Sequence, residues 1–73
     1  MAERLRLVSG REAVKKLRRA GWTLVRRRGS HRMLTHPNFR WTLSVPDHRE
    51  LGPGLLRTIL KQAGLSVEQF NSL

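Results

Sequence analysis

The chain has 73 residues, with fifteen Lys and Arg against five Asp and Glu, and a formal charge of +10. With 38% hydrophobic residues it can build one small core; a chain this short buries only about 60% of its unfolded surface, so residues 1–73 read as a single lean domain. It has no Cys, which excludes disulfide staples, a thiol nucleophile, iron–sulfur clusters and thiolate zinc sites.

Twelve of the fifteen cations are Arg. Such a field attracts polyanions. Nucleic acid leads the partner classes, followed by an acidic protein and an anionic membrane. A basic surface kept only for solubility is the plainer reading, but Arg is a costlier choice than Lys for that purpose. No apolar run approaches the roughly 20 residues that span a bilayer. Met1 to Val8 alternate charged and apolar residues, unlike a signal peptide. A cytoplasmic protein is expected.

Ser9 and Glu12 have capping-box spacing and open a helix over about 10–20. Ala13, Val14, Leu17 and Ala20 form its apolar stripe, with Lys15, Lys16, Arg18 and Arg19 on the other side. Gly21 is a left-handed stop. The segment Trp22 to Arg28 is rich in β-formers, Gly29-Ser30 signals a tight turn, and His31 to Thr35 reads as a second strand. His36-Pro37-Asn38 makes another turn. A third strand is expected over Phe39 to Val45, where Trp41, Leu43 and Val45 alternate with Thr42 and Ser44. Pro53 starts a second helix whose apolar face is Leu55, Leu56, Ile59, Leu60 and Ala63, and Gly64 ends it. Ser66 and Gln69 repeat the capping-box spacing before a short third helix with Val67 and Phe70. The order α-β-β-β-α predicts an α+β fold: a three-stranded antiparallel sheet with both main helices on one face.

The five acids, Glu3, Glu12, Asp47, Glu50 and Glu68, are scattered, and only Asp47 and Glu50 lie near each other. That argues against a two-metal nuclease and a paired-carboxylate hydrolase. The offset between His31 and His36 is odd, which places them on opposite faces of one strand and argues against a shared zinc. No metal and no cofactor is expected.

His31 has a distinctive setting, after Arg26-Arg27-Arg28-Gly29-Ser30 and before Arg32. RNA carries its own nucleophile, the 2′-hydroxyl beside the scissile phosphate. Cleavage by internal transfer then needs a base, an acid and cations for the developing charge. His exchanges protons near neutral pH and the Arg fork matches phosphate. The plainer reading is a surface His beside a turn in a basic strand. Gly29-Ser30 can likewise be only the turn. Trp22 and Trp41 can stack on bases, but core packing is the simpler role in so small a domain. Met33 and Leu34 are adjacent, so one of them faces the helices. Leu34 is the better core residue, which leaves His31 and Met33 on the open face. His48, in the loop after Pro46-Asp47, is a possible second proton-transfer group if that loop folds back over the strand.

The stretches Ala20-Gly21-Trp22, Arg28-Gly29-Ser30-His31, Thr35-His36-Pro37, Val45-Pro46-Asp47-His48 and Leu51-Gly52-Pro53-Gly54-Leu55-Leu56, continuing to Leu65, together resemble the HicA-type toxins of toxin–antitoxin pairs. The resemblance spans about Ser9 to Phe70. It implies a double-stranded-RNA-binding-domain-like fold and a metal-independent endoribonuclease, an mRNA interferase that cleaves messenger RNA and blocks translation. The family's catalytic His falls on His31. RNA and a HicB-type antitoxin are the implied partners. Arg26, Arg27, Arg28, Ser30 and Arg32 are the candidate RNA-binding residues, and Arg28, Arg32 and His48 are candidates for the second catalytic group. The alternative is a non-catalytic RNA-binding module of the same shape, which would read duplex geometry. A third reading gives the basic surface to an acidic protein. A membrane-surface role ranks last, because the first helix lacks aromatic anchors.

Overall fold

Helix α1 spans Gly10–Arg19. Ser9 caps it, its hydroxyl accepting from the Glu12 amide at 3.1 Å. The reciprocal half of the expected capping box does not form there. It does form at α3 (Val67–Asn71), where Ser66 and Gln69 each take the other's amide. The computed structural model describes residues 3–73, so Met1 and Ala2 of the Met1–Val8 segment lie outside the described residues. Ala20 is the C-cap of α1, and Gly21 reverses the chain with φ of +100°. A Cβ on Gly21 would also come within 2.9 Å of the His36 ring, so both conformation and space call for Gly.

Three strands follow: β1 (Thr23–Arg28), β2 (His31–Thr35) and β3 (Leu43–Pro46). They form one antiparallel sheet in the order β1-β2-β3. Helix α1 packs on β1 and β3, and α2 (Pro53–Ala63) packs on β3. The fold is therefore α+β, of the double-stranded-RNA-binding-domain type, with α3 as an addition. Leu17, Leu34, Leu43, Val45, Leu51, Leu56 and Phe70 are the large fully buried side chains. Burying a residue of this kind contributes roughly 1.5–3 kcal/mol.

The third strand is shorter than the expected Phe39 to Val45. Phe39 turns out of the ladder to stack on Trp22, ring centroids 5.0 Å apart. It also fills the space over Gly64, where a Cβ would come within 2.9 Å of it. Gly64 ends α2 with φ of +71°. Trp22 is buried, as expected. Trp41 is 51% exposed and its indole N–H donates to the Gln62 carbonyl at 2.8 Å. It thus satisfies an orphan carbonyl in the last turn of α2 instead of filling the core. Leu55, expected on the buried face of α2, is exposed.

The first and last described segments are tied together and to α1. The Asn71 amide donates to the Arg4 carbonyl and to Glu3. Lys16 reaches from α1 to the Phe70 carbonyl at 3.0 Å and lies over the Phe70 ring.

Candidate functional site

Gly29 takes φ of +62° at the first position of the two-residue turn between β1 and β2, as hairpins with Gly first do. The turn sets Arg28 opposite His31. Successive residues of a strand face opposite sides. Leu34 is buried under the helices, so His31 and Met33 face away from them, as expected. His31 is exposed on this helix-free face. Ser44 pairs with Met33, which brings it diagonally beside His31. Its hydroxyl lies 2.9 Å from His31 Nδ1.

The arginines do not share one face. Leu24 pairs with Leu34, but Arg26 pairs with Met33, so Val25 is an extra residue in β1. This bulge shifts the phase of everything after it. Arg26 and Arg28 come to the His31 side. Arg27 pairs with Arg32, and both lie on the helix side. There they meet a common anion: Asp47 is 3.5 Å from Arg27 and 3.7 Å from Arg32. The Arg32 side chain is only 15% exposed.

The loop after β3 is held by backbone bonds. The Asp47 amide donates to the Ser30 carbonyl at 2.8 Å, and the Gly10 amide donates to the His48 carbonyl at 2.9 Å. Gly10 is obligatory at this crossing, because a Cβ there would overlap the Pro46 carbonyl oxygen. Ser30 thus anchors the loop through its backbone. His48 follows Pro46, the cross-strand neighbour of His31, by two residues, and is exposed. His36 lies elsewhere, with Nδ1 accepting from the Asn38 amide and its ring against Trp22 and Phe39. Among the described residues no group of three His, Asp or Glu could hold a metal ion. No helix among them is long and apolar enough to cross a membrane.

The sequence reading missed the bulge, Ser44 and the Asp47 bridge. Ser44 was within reach: the alternation of Leu43 and Val45 with Thr42 and Ser44 already placed it on the open face. The adjacent apolar pair Leu24-Val25 was the available sign that period two breaks in β1.

A small double-stranded-RNA-binding-type domain with an Arg–His–Ser group on its free sheet face is the class that these features define. The family model described as the HicA toxin of bacterial toxin–antitoxin matches residues 10–65, more than half of the chain. The chain belongs to this family, which makes it a toxin of a toxin–antitoxin system and implies an antitoxin partner. No curated protein matches it.

Proposed function

We propose that the protein is a metal-independent endoribonuclease that cleaves messenger RNA, with His31 as its proton-transfer residue. The observation that carries this reading is the placement of His31: exposed on the helix-free face, oriented by Ser44 and paired across the hairpin with Arg28. The hydrogen bond at Nδ1 leaves Nε2 to work on the substrate. When Nδ1–H donates to Ser44, Nε2 is a base and takes the proton of the 2′-hydroxyl. The imidazolium so formed keeps its Nδ1–H on Ser44, and its Nε2–H is then an acid for the leaving oxygen. The 2′-oxygen attacks phosphorus, the bond to the 5′-oxygen breaks, and that oxygen leaves with a proton. The products are a 2′,3′-cyclic phosphate and a 5′-hydroxyl end.

Arg28 is the cation placed to stabilise the phosphorane, and Arg26 extends the same face. Arg32 is engaged with Asp47 on the far side and is set aside as the second catalytic group. His48 keeps that candidacy because its loop leaves β3 beside His31. Ser30 presents the turn to the phosphate. The protein partner in this reading is a HicB-type antitoxin that covers the His31 face, and the working compartment is the cytoplasm.

The test incubates labelled messenger RNA with wild type and His31→Ala in EDTA, with circular dichroism as the folding control. Removing the proton-transfer group is expected to slow cleavage by about 10²–10⁴-fold. Cleavage at the wild-type rate by the variant would overturn the assignment. Intact RNA with both proteins, retarded on a gel in a salt-sensitive way, would make the domain a binding module.

A further inference from the structure

On the opposite side of the sheet from His31, a groove of about 290 Å³ runs between α1 and β1. Arg11, Lys15 and Arg18 line it from α1, and Arg27 and Arg32 line it from the strands. Its floor is the apolar pair Val14 and Leu24. We infer that this groove is a second site for the RNA backbone, holding phosphates remote from the scissile bond. The inference rests on the reading that RNA is the ligand.

Three features carry it. Arg11 and Lys15 are four residues apart and Lys15 and Arg18 three, so all three stack on one helix face. Like charges at those spacings destabilise a helix, and among the described residues none of the three has an acidic partner. A polyanion in the groove removes that repulsion. Secondly, the residues are mostly Arg, whose fork binds phosphate with two parallel hydrogen bonds. A protein partner would need a central apolar anchor pocket. Here Val14 is buried and Leu24 half-buried, so the groove offers an incoming side chain little beyond charge. Thirdly, the two faces are continuous. β1 is an edge strand, with Arg26 and Arg28 on the His31 side and Arg27 on the groove side. A strand of RNA passing over that edge meets cations throughout. Asp47 bridges Arg27 and Arg32 and is the carboxylate that an incoming phosphate would compete with.

The test measures the affinity of single-stranded 2′-O-methyl RNA, which lacks the internal nucleophile and stays intact. Wild type is compared with Arg11→Gln/Lys15→Gln/Arg18→Gln. These positions are exposed on α1 or line the groove, and Gln is a good helix former. A control, Arg19→Gln/Arg57→Gln/Lys61→Gln, removes the same charge from exposed positions outside the groove. Each lost phosphate contact flattens the salt dependence by about 0.7 for single strands, so the groove variant should lose about 2 from its slope and bind at least about tenfold more weakly at low salt. The control should retain most of its slope. Equal losses in both variants would reduce the effect to net charge and overturn the inference. So would an unchanged RNA affinity, including the case in which the groove variant instead loses an acidic antitoxin. Wild type that does not bind RNA would overturn the underlying reading as well.

Discussion

The two faces of the β1–β2 hairpin carry the same residue types and are built for different work. On the free face, Arg28, His31 and Ser44 are exposed, with His31 hydrogen-bonded to Ser44 and paired across the hairpin with Arg28. On the helix face, Arg27 and Arg32 are clamped by Asp47 beside a cationic groove. The bulge that absorbs Val25 decides which arginine goes where. A run of three identical side chains thus becomes two sets, and the face that a strand residue occupies counts for more than its place in the run.

The sharpest way to break this comparison is to remove one arginine from each face. Arg28→Gln takes away the cation paired with His31, so kcat should fall by about 10²-fold, the loss seen when a charge-stabilising donor is removed. Arg27→Gln, on the helix face, should act on RNA affinity. Equal effects of the two on kcat would show that both arginines reach the scissile phosphate.

Ser44→Ala tests the free face alone. It removes the partner of His31 Nδ1 from an exposed position, so the melting temperature should hold while kcat drops about tenfold, a modest share of a general acid–base contribution. The loss should fall on kcat and not on KM, because the hydrogen bond orients the ring and sets which nitrogen holds the proton. Unchanged kcat would show that Ser44 does not position His31. Gly10→Ala tests the strut beneath both faces. Its Cβ meets the Pro46 backbone oxygen, which cannot swing away as a side chain would. Overpacking of this kind costs about 1–3 kcal/mol. Thermal unfolding should show the loss, and cleavage should slow as the Asp47–His48 loop shifts.

Both main helices were legible in the sequence because their signals are local. Leu17 and the Leu56-Ile59-Leu60 set recur at helical spacing, and Ser9, Pro53 and Gly64 mark the ends. His31 and its open face were legible from Leu34, a better core residue than its neighbour Met33. The N-terminal half of the third strand was misread, although its alternation is real. Trp41 follows the pattern, but a carbonyl 21 residues away at Gln62 gives its indole a partner outside the ladder. The division of the arginines was hidden for a similar reason. A bulge is a property of two strands in register, and nothing within Arg26-Arg27-Arg28 records it. The need for Gly10 comes from a chain crossing with Pro46, far along the sequence.

The finest distinction between the faces is the one carboxylate that the helix side has and the free face lacks. Asp47 is about one-third exposed, and its two ion pairs are long, at 3.5 and 3.7 Å. Pairs of this kind contribute about 0–1 kcal/mol to stability, so Asp47→Asn should barely move the unfolding midpoint. Its effect should appear in RNA binding. Losing the anion frees Arg27 and Arg32 for phosphate and raises the positive field of the groove. Affinity should rise a few-fold at low salt, and the salt dependence should steepen by up to about 1.4, two phosphate contacts' worth for single strands. Cleavage of RNA at saturation should stay the same, since His31 and Arg28 lie on the other side. A lower affinity would mean that Asp47 orients the two arginines for RNA instead of competing with it. The groove would then be a pre-shaped fork, and the carboxylate a part of it.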